Sequence, residues 1–205
     1  KYLPFPLLRK INPQTTNEEG KVSLENKDIL KNLLVRTMSG VLNIPAVKEA
    51  GDKFIENFDN PDEKNLLFTG NTGLGKSFLS SCIANELLKQ GKTVLYQTAP
   101  VMLDTILDYR FGKNNEFSYN DLLNVDLLII DDLGTECSNN MKFSELFNIL
   151  NTRLLNQNNK VTKTIISTNL SLNHLFKTYD ERIFSRLVGY YNICRFFGED
   201  LRYKK

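Results

Sequence analysis

From Asn65 onward the chain alternates short, almost unbroken apolar runs with longer segments in which apolar residues recur every three to four positions. The short runs are LLFT (66–69), TVLYQT (93–98), VDLLII (125–130), KTIIST (163–168) and NICRFF (192–197). Runs of four to six residues that are apolar at successive positions suit strands buried on both faces. The segments between them, at 76–90, 100–111, 141–157 and 171–188, carry the helical period. Strands separated by helices need crossover connections. The pattern therefore predicts a five-stranded, mostly parallel sheet covered by helices on both faces, a three-layer αβα fold.

The first third has a different texture. NPQTTNEEGK (12–21) reads as loop, and Ser23 is placed to cap a helix carrying Leu24, Ile29, Leu30, Leu33, Leu34, Met38 and Val41, closed by Pro45. A second helix, from Ala46 to Phe58, stops at DNPDEKN, where Asn60-Pro61 is a strong breaker. The division is an N-terminal extension over 1–45 and a single domain over 46–205. The chain begins at Lys1 rather than Met, as expected for a portion of something longer.

Composition narrows the class. The chain is 41% hydrophobic and 24% charged, and no apolar run approaches the roughly 20 residues that span a bilayer. Cys82, Cys137 and Cys194 form no CxxC pair, and His174 is the single histidine. That excludes a disulfide framework or a Cys/His zinc site and favours the reducing cytosol. The cysteines read as small buried apolar residues and His174 as structural or surface. A net charge of +2 hides a skew, with 11 basic against 5 acidic side chains in residues 142–205. Such a basic third suits phosphates as well as an ordinary solvated surface.

The sharpest chemical signal is Gly70-Asn71-Thr72-Gly73-Leu74-Gly75-Lys76-Ser77, which follows LLFT and opens a helix continuing through Phe78. It matches GxxxxGK[ST] in its strand–loop–helix context. The glycines let the backbone turn tightly and aim N–H groups at phosphate oxygens, and the helix N-terminus adds partial positive charge. Lys76 is expected to reach the β- and γ-phosphates of ATP, and the Ser77 hydroxyl to ligate Mg²⁺. VDLLII then runs into Asp131 and Asp132, which puts two carboxylates where open α/β sheets bind ligands. Asp131 suits the Mg²⁺ site and Asp132 the attacking water. TIIST ends in Asn169, an amide able to hold that water and equally an ordinary turn residue.

The order P-loop, LLIIDDLGTE, TIISTNLS, ERIFSRLVG and FFGEDLRYKK resembles the AAA+ ATPases of the bacterial replicative-helicase loaders, of DnaC and DnaI type, and their IstB relatives. The resemblance covers residues 50–205. It implies an AAA+ core without a full C-terminal helical lid, since the chain ends about eight residues after its last strand candidate. Adenine would then be covered by the segment before the P-loop, around Val47 to Phe58. It further implies Asn169 as sensor 1 and Arg186 as an arginine finger acting on ATP held by a neighbouring copy, with Arg182 a turn earlier as a second candidate. Arg202 matches a sensor-2-like arginine. Asp132 departs from the family's usual Asp-Glu pair, so Glu136 is a candidate helper.

By the same resemblance the expected function is ATP-dependent loading of the replicative helicase onto single-stranded DNA, by a nucleotide-dependent homo-oligomer with slow, assembly-coupled hydrolysis. The alternative is a transposition accessory ATPase binding duplex DNA. For DNA contact, Tyr109, Arg110, Phe111 and Lys113 interleave rings and cations as single-strand binders do. The same Tyr and Phe, at the end of an amphipathic helix, also suit the core. Both readings stand at this point.

Overall fold

The computed structural model describes residues 44–113, 118–137, 139–156, 160–198 and 200. The helix expected over 23–41 and Arg202 lie outside them. The elements are α1 (Ile44–Glu56), β1 (Asn65–Thr69), α2 (Lys76–Lys89), β2 (Val94–Thr98), α3 (Ala99–Arg110), α4 (Tyr119–Asn124), β3 (Leu127–Leu133), α5 (Asn140–Leu155), β4 (Lys163–Thr168), α6 (Leu172–Thr178), α7 (Glu181–Tyr190) and β5 (Tyr191–Arg195). The strands pair in the order β2-β3-β4-β1-β5, and every pairing is parallel.

Both faces of the sheet are buried, which is why its strands read as unbroken apolar runs. Leu66, Phe68, Leu127, Ile129 and Ile165 pack with Phe54 and Phe58 at the α1 end and with Ile83 and Leu87 of α2. Their neighbours Leu67, Leu128, Ile130 and Ile166 pack on the other face with Met102 and Ile106 of α3, Leu146 and Ile149 of α5, and Ile183 and Leu187 of α7. The period of two along each strand thus divides two cores between two helical layers. The result is the expected three-layer αβα architecture.

Two differences from the expected elements have local causes. The segment 171–188 is not one helix, because Asp180 takes up extended backbone and its carboxylate accepts from the Ile183 N–H at 2.9 Å, starting α7 afresh after Ser171 has capped α6. The short α4, which was not anticipated, is capped by Ser118 in the same way. Cys194 is buried, as expected, and burial pushes its thiol up to about 11. Cys137 is exposed, against the expectation of a buried cysteine, because it falls in the loop after β3. Arg153, fully buried, donates to the carbonyls of Leu122, Val125 and Lys163 and to the Thr164 hydroxyl at 2.7–3.1 Å, so it ties the chain entering β3 to β4.

Candidate nucleotide site

The C-terminal ends of β1, β3 and β4 converge on one edge of the sheet, and β4 lies between the other two. The loop after β1 bends through positive φ at Gly70, Gly73 and Gly75 and delivers Lys76 as the first residue of α2. Two of these glycines are also demanded by close approach. A Cβ on Gly70 would lie 2.2 Å from the Phe196 carbonyl oxygen, and one on Gly73 would lie 2.0 Å from Asp200 Oδ1. The segment after β5 therefore lies against the loop, held by the Phe196 N–H donating to Thr69 O at 2.7 Å. Leu74 is buried, so toward a ligand it offers backbone rather than side chain.

Lys76 is only 5% exposed, and its ammonium donates to Gly70 O at 2.6 Å, Asn71 O at 2.7 Å and Asn169 Oδ1 at 2.8 Å. All three acceptors are neutral. Burial lowers the lysine pKa, and the nearby Asp132 and Asp131 charges oppose that shift. An ammonium whose hydrogen bonds all go to neutral oxygens among the described residues, beside a loop shaped by glycine, fits the phosphates of a nucleotide.

Asp131 is 5% exposed and accepts three hydroxyl donors. Ser77 Oγ reaches its Oδ1 at 3.1 Å, Ser167 Oγ donates to the same oxygen, and Tyr96 OH donates to Oδ2 at 2.5 Å. A serine hydroxyl beside a carboxylate is a hard-oxygen pair that suits Mg²⁺, which takes few protein ligands and keeps waters and phosphate oxygens for the rest. The residues present fit that ion.

Asp132 is set apart from its neighbour by the backbone. The register with β4 shifts between Ile130 and Leu133, a bulge that lets β3 run on through both acids to Leu133. Asp132 itself has φ 56°, and its N–H donates to Ser167 Oγ at 3.1 Å. Its side chain is half-buried, and burial first, then the Asp131 charge, raises its pKa, while Lys76 acts the other way. Consecutive residues of one strand thus end in different surroundings. Asp131 is enclosed among hydroxyls, and Asp132 is only half-buried. Asn169 is carried just past β4 by a turn that Thr168 fixes, donating from Oγ1 to Leu133 O and accepting from the Leu170 N–H.

Several expected members lie elsewhere. Glu136 accepts from the Gly134 N–H at 2.8 Å and from the Tyr179 hydroxyl, so it braces the loop after β3 against the end of α6 rather than assisting Asp132. Val47, Phe54 and Phe58 are core side chains with no open face to offer an adenine. Arg186 makes its contacts with α5 and its own helix, not with Lys76, Asp131 or Asn169: Nε and Nη2 donate to Asn151 Oδ1 at 3.0 and 2.6 Å. Arg182 shares that face, since both guanidinium groups lie over the Phe147 ring, at 4.9 Å for Arg182 and 4.3 Å for Arg186. Tyr109 and Phe111 are exposed, 38% and 59%, so the core reading of these rings fails. Arg110, by contrast, is engaged: it pairs with both oxygens of Glu145 and stacks on Tyr119.

Sequence reasoning missed Tyr96, Asp200, Phe147 and Asn151. Only Tyr96 carried a signal, as the polar ring in strand TVLYQT whose partner strand ends in the acids.

Residues 48–205 match the model of a family described as IstB-like ATP binding protein. The replicative helicase loader DnaC of Escherichia coli K12 is 31% identical over 137 residues, covering 66% of this chain and 54% of the relative. DnaC of Buchnera aphidicola subsp. Baizongia pistaciae is 38% identical over 90 residues, 42% of this chain and 36% of its own. The chain spans about half the length of the curated relatives it matches. Among solved structures, AMPPCP-bound DnaA from Aquifex aeolicus superposes with a TM-score of 0.63 at 25% identity, covering 74% of this chain and 45% of that one. A DnaC helicase loader superposes equally well, TM-score 0.63 at 23% identity, over 74% of this chain and 88% of that one. With a P-loop, paired acids and an Asn at the ends of adjacent parallel strands, and a family match over most of its length, the chain belongs to the IstB-like ATP-binding proteins, AAA+ P-loop ATPases of DnaC type.

Proposed function

We propose that the chain is the ATPase domain, residues 46–205, of a factor that loads the replicative helicase onto single-stranded DNA, preceded by an extension over 1–45. The observation that carries this is the 137-residue similarity to a replicative helicase loader, beside a family match over residues 48–205 that includes the nucleotide site. The backbone of Gly70–Gly75, with Asn71, Thr72 and Leu74, cradles the phosphates of ATP, and Lys76 exchanges its three neutral acceptors for phosphate oxygens. Phe78 follows on the first turn of α2, and Arg202 is the sensor-2-like arginine. Ser77 and Asp131 hold Mg²⁺, which when bound would neutralise phosphate charge. Asp132, half-exposed, takes the proton of the attacking water, and Asn169 orients it. Arg186 reaches the γ-phosphate held by a second copy.

A second reading, a transposition accessory ATPase on duplex DNA, draws on the family's name alone. Co-purification of the full-length protein with the replicative helicase of its own cell separates the two. Retention of the helicase is expected, and its absence together with duplex-selective DNA binding favours the second reading. The exposed Tyr109 and Phe111 beside Lys113 support strand contact, and Arg110 joins them only if it leaves Glu145.

A further inference from the structure

The corner between α5 and α7 contains a cation whose surroundings differ from those of Arg182 beside it and of Arg110. Arg182 pairs with Asp180 at 2.8 Å, and Arg110 with Glu145 at 2.9 Å. Among the described residues no carboxylate pairs with Arg186. Its Nε and Nη2 converge on one amide oxygen, Asn151 Oδ1, and its Nη1 donates to Arg182 O at 3.0 Å. A guanidinium has five N–H groups. Three are used here, which leaves one on each terminal nitrogen without a partner among the described residues. The group's flat face lies over Phe147, which fixes the plane of the fork.

We propose that Asn151 and Phe147 are positioning residues: they hold Arg186 aligned but not neutralised, with two N–H groups presented to the phosphate of ATP bound by a second copy of this chain. This rests on the reading of Arg186 as the finger. The physical point is the choice of acceptor. A carboxylate at position 151 would orient the guanidinium as well as an amide does, but it would cancel the charge that a transition-state phosphate needs. A neutral oxygen and a ring face fix direction and leave the charge available. The same ring also carries Arg182, whose charge Asp180 already pairs, so Arg186 is the cation on that aromatic surface left for an incoming anion.

The test compares Asn151→Ala, Asn151→Asp and Phe147→Leu with Arg186→Ala in the full chain. It measures ATP affinity by calorimetry, ATP-dependent assembly by sedimentation, hydrolysis, and melting temperature. Asn151→Ala is expected to bind ATP normally and to lose about tenfold in hydrolysis, the worth of an ordinary hydrogen bond to a charged group. Asn151→Asp, which closes an ion pair on Arg186, should melt no lower than the parent yet lose at least as much hydrolysis. A merely structural role predicts the reverse, because an aspartate keeps the bonds, so an Asn151→Asp chain at the parental rate overturns the proposal. Phe147→Leu should lose hydrolysis while Phe147→Tyr, which keeps the ring face, loses less. If Phe147→Leu does not fold, the Asn151 pair decides alone. An Arg186→Ala chain that hydrolyses at the parental rate removes the finger reading itself. An inactive Arg186→Ala beside fully active Asn151 variants leaves the finger standing and removes its cradle.

Discussion

The nucleotide loop and the α5–α7 corner each hold one cation, Lys76 and Arg186, on neutral oxygens, yet they are complete to different degrees. At the loop, α2, β2, β3 and β4 contribute Lys76, Ser77, Tyr96, Asp131, Ser167 and Asn169, and these are joined within one chain by hydrogen bonds. At the corner, Arg186 ends in two N–H groups with no acceptor among the described residues. The first arrangement can bind a ligand unaided. On the proposed reading the second serves a second copy, so binding should belong to the single chain and turnover to the assembly.

The most severe way to break this comparison is to remove Lys76. Lys76→Ala should abolish measurable ATP binding while the fold persists, because the ammonium touches loop carbonyls and an exposed amide rather than core atoms. Calorimetry with unchanged ATP affinity would sink the assignment of the loop. Next is Arg186→Ala, expected to bind ATP normally yet hydrolyse about 10³-fold more slowly if it is a finger. Mixing the two variants should restore partial activity, since each keeps the half-site the other lacks. A mixture as inactive as its parents, where hetero-assembly is demonstrated, counts against a shared site.

These two regions were also legible in the sequence to different degrees, and for a physical reason. A strand buried on both faces shows in its composition, so the five runs marked the five strands, and Gly70–Ser77 sits in a loop whose backbone chemistry dictates residue type. The bulge that separates Asp131 from Asp132 left no such mark, because it depends on the register against β4 rather than on either acid. Phe147 and Asn151 read as ordinary positions of an amphipathic helix. Their meaning arises only when α7 is restarted by Asp180 and lies across α5, a tertiary event 30 residues away in sequence. Asp180 is of a residue type that caps helices, but the helical period runs through 171–188 without marking a restart there.

Asp132 sharpens the comparison through pH. Its folded pKa is raised, mainly by burial, so its base form disappears on acidification at a higher pH than that of an ordinary aspartate. Hydrolysis should show an acid limb above the usual carboxylate range, and Asp132→Asn should remove that limb and about 10² of the rate while ATP binding persists. Stability has the opposite sign. With the folded pKa above the unfolded one, the native state binds the proton more tightly. Stability is therefore lost as pH rises through that window, and at neutral pH the charged Asp132 is a net cost. Asp132→Asn should melt at a slightly higher temperature at pH 7 and show no gain at pH 3. A gain of equal size at both values would mean that the charge is not its cause.

The mildest change probes how the binding region is braced. Tyr96 donates to Asp131 Oδ2 from the adjacent strand β2, and burial, with the Asp131 charge, raises the phenol pKa well above its ordinary value, so it remains a donor throughout the working range. Tyr96→Phe removes that donor and little volume. The carboxylate keeps Ser77 and Ser167 on its other oxygen, so the fold should survive with about 1–3 kcal/mol less stability, the usual penalty for leaving a buried acceptor unpaired. Outer partners of metal ligands typically change affinity by 10- to 100-fold, and one phenol among three hydroxyl donors belongs at the lower end, about tenfold. That loss should appear in ATP binding measured with Mg²⁺ and vanish in EDTA if, as proposed, Asp131 holds the ion rather than the phosphates. Equal losses in both arms would show Tyr96 acting through the shape of the loop, and would shift the brace of the binding region from the metal ligands to the strand pair that carries them.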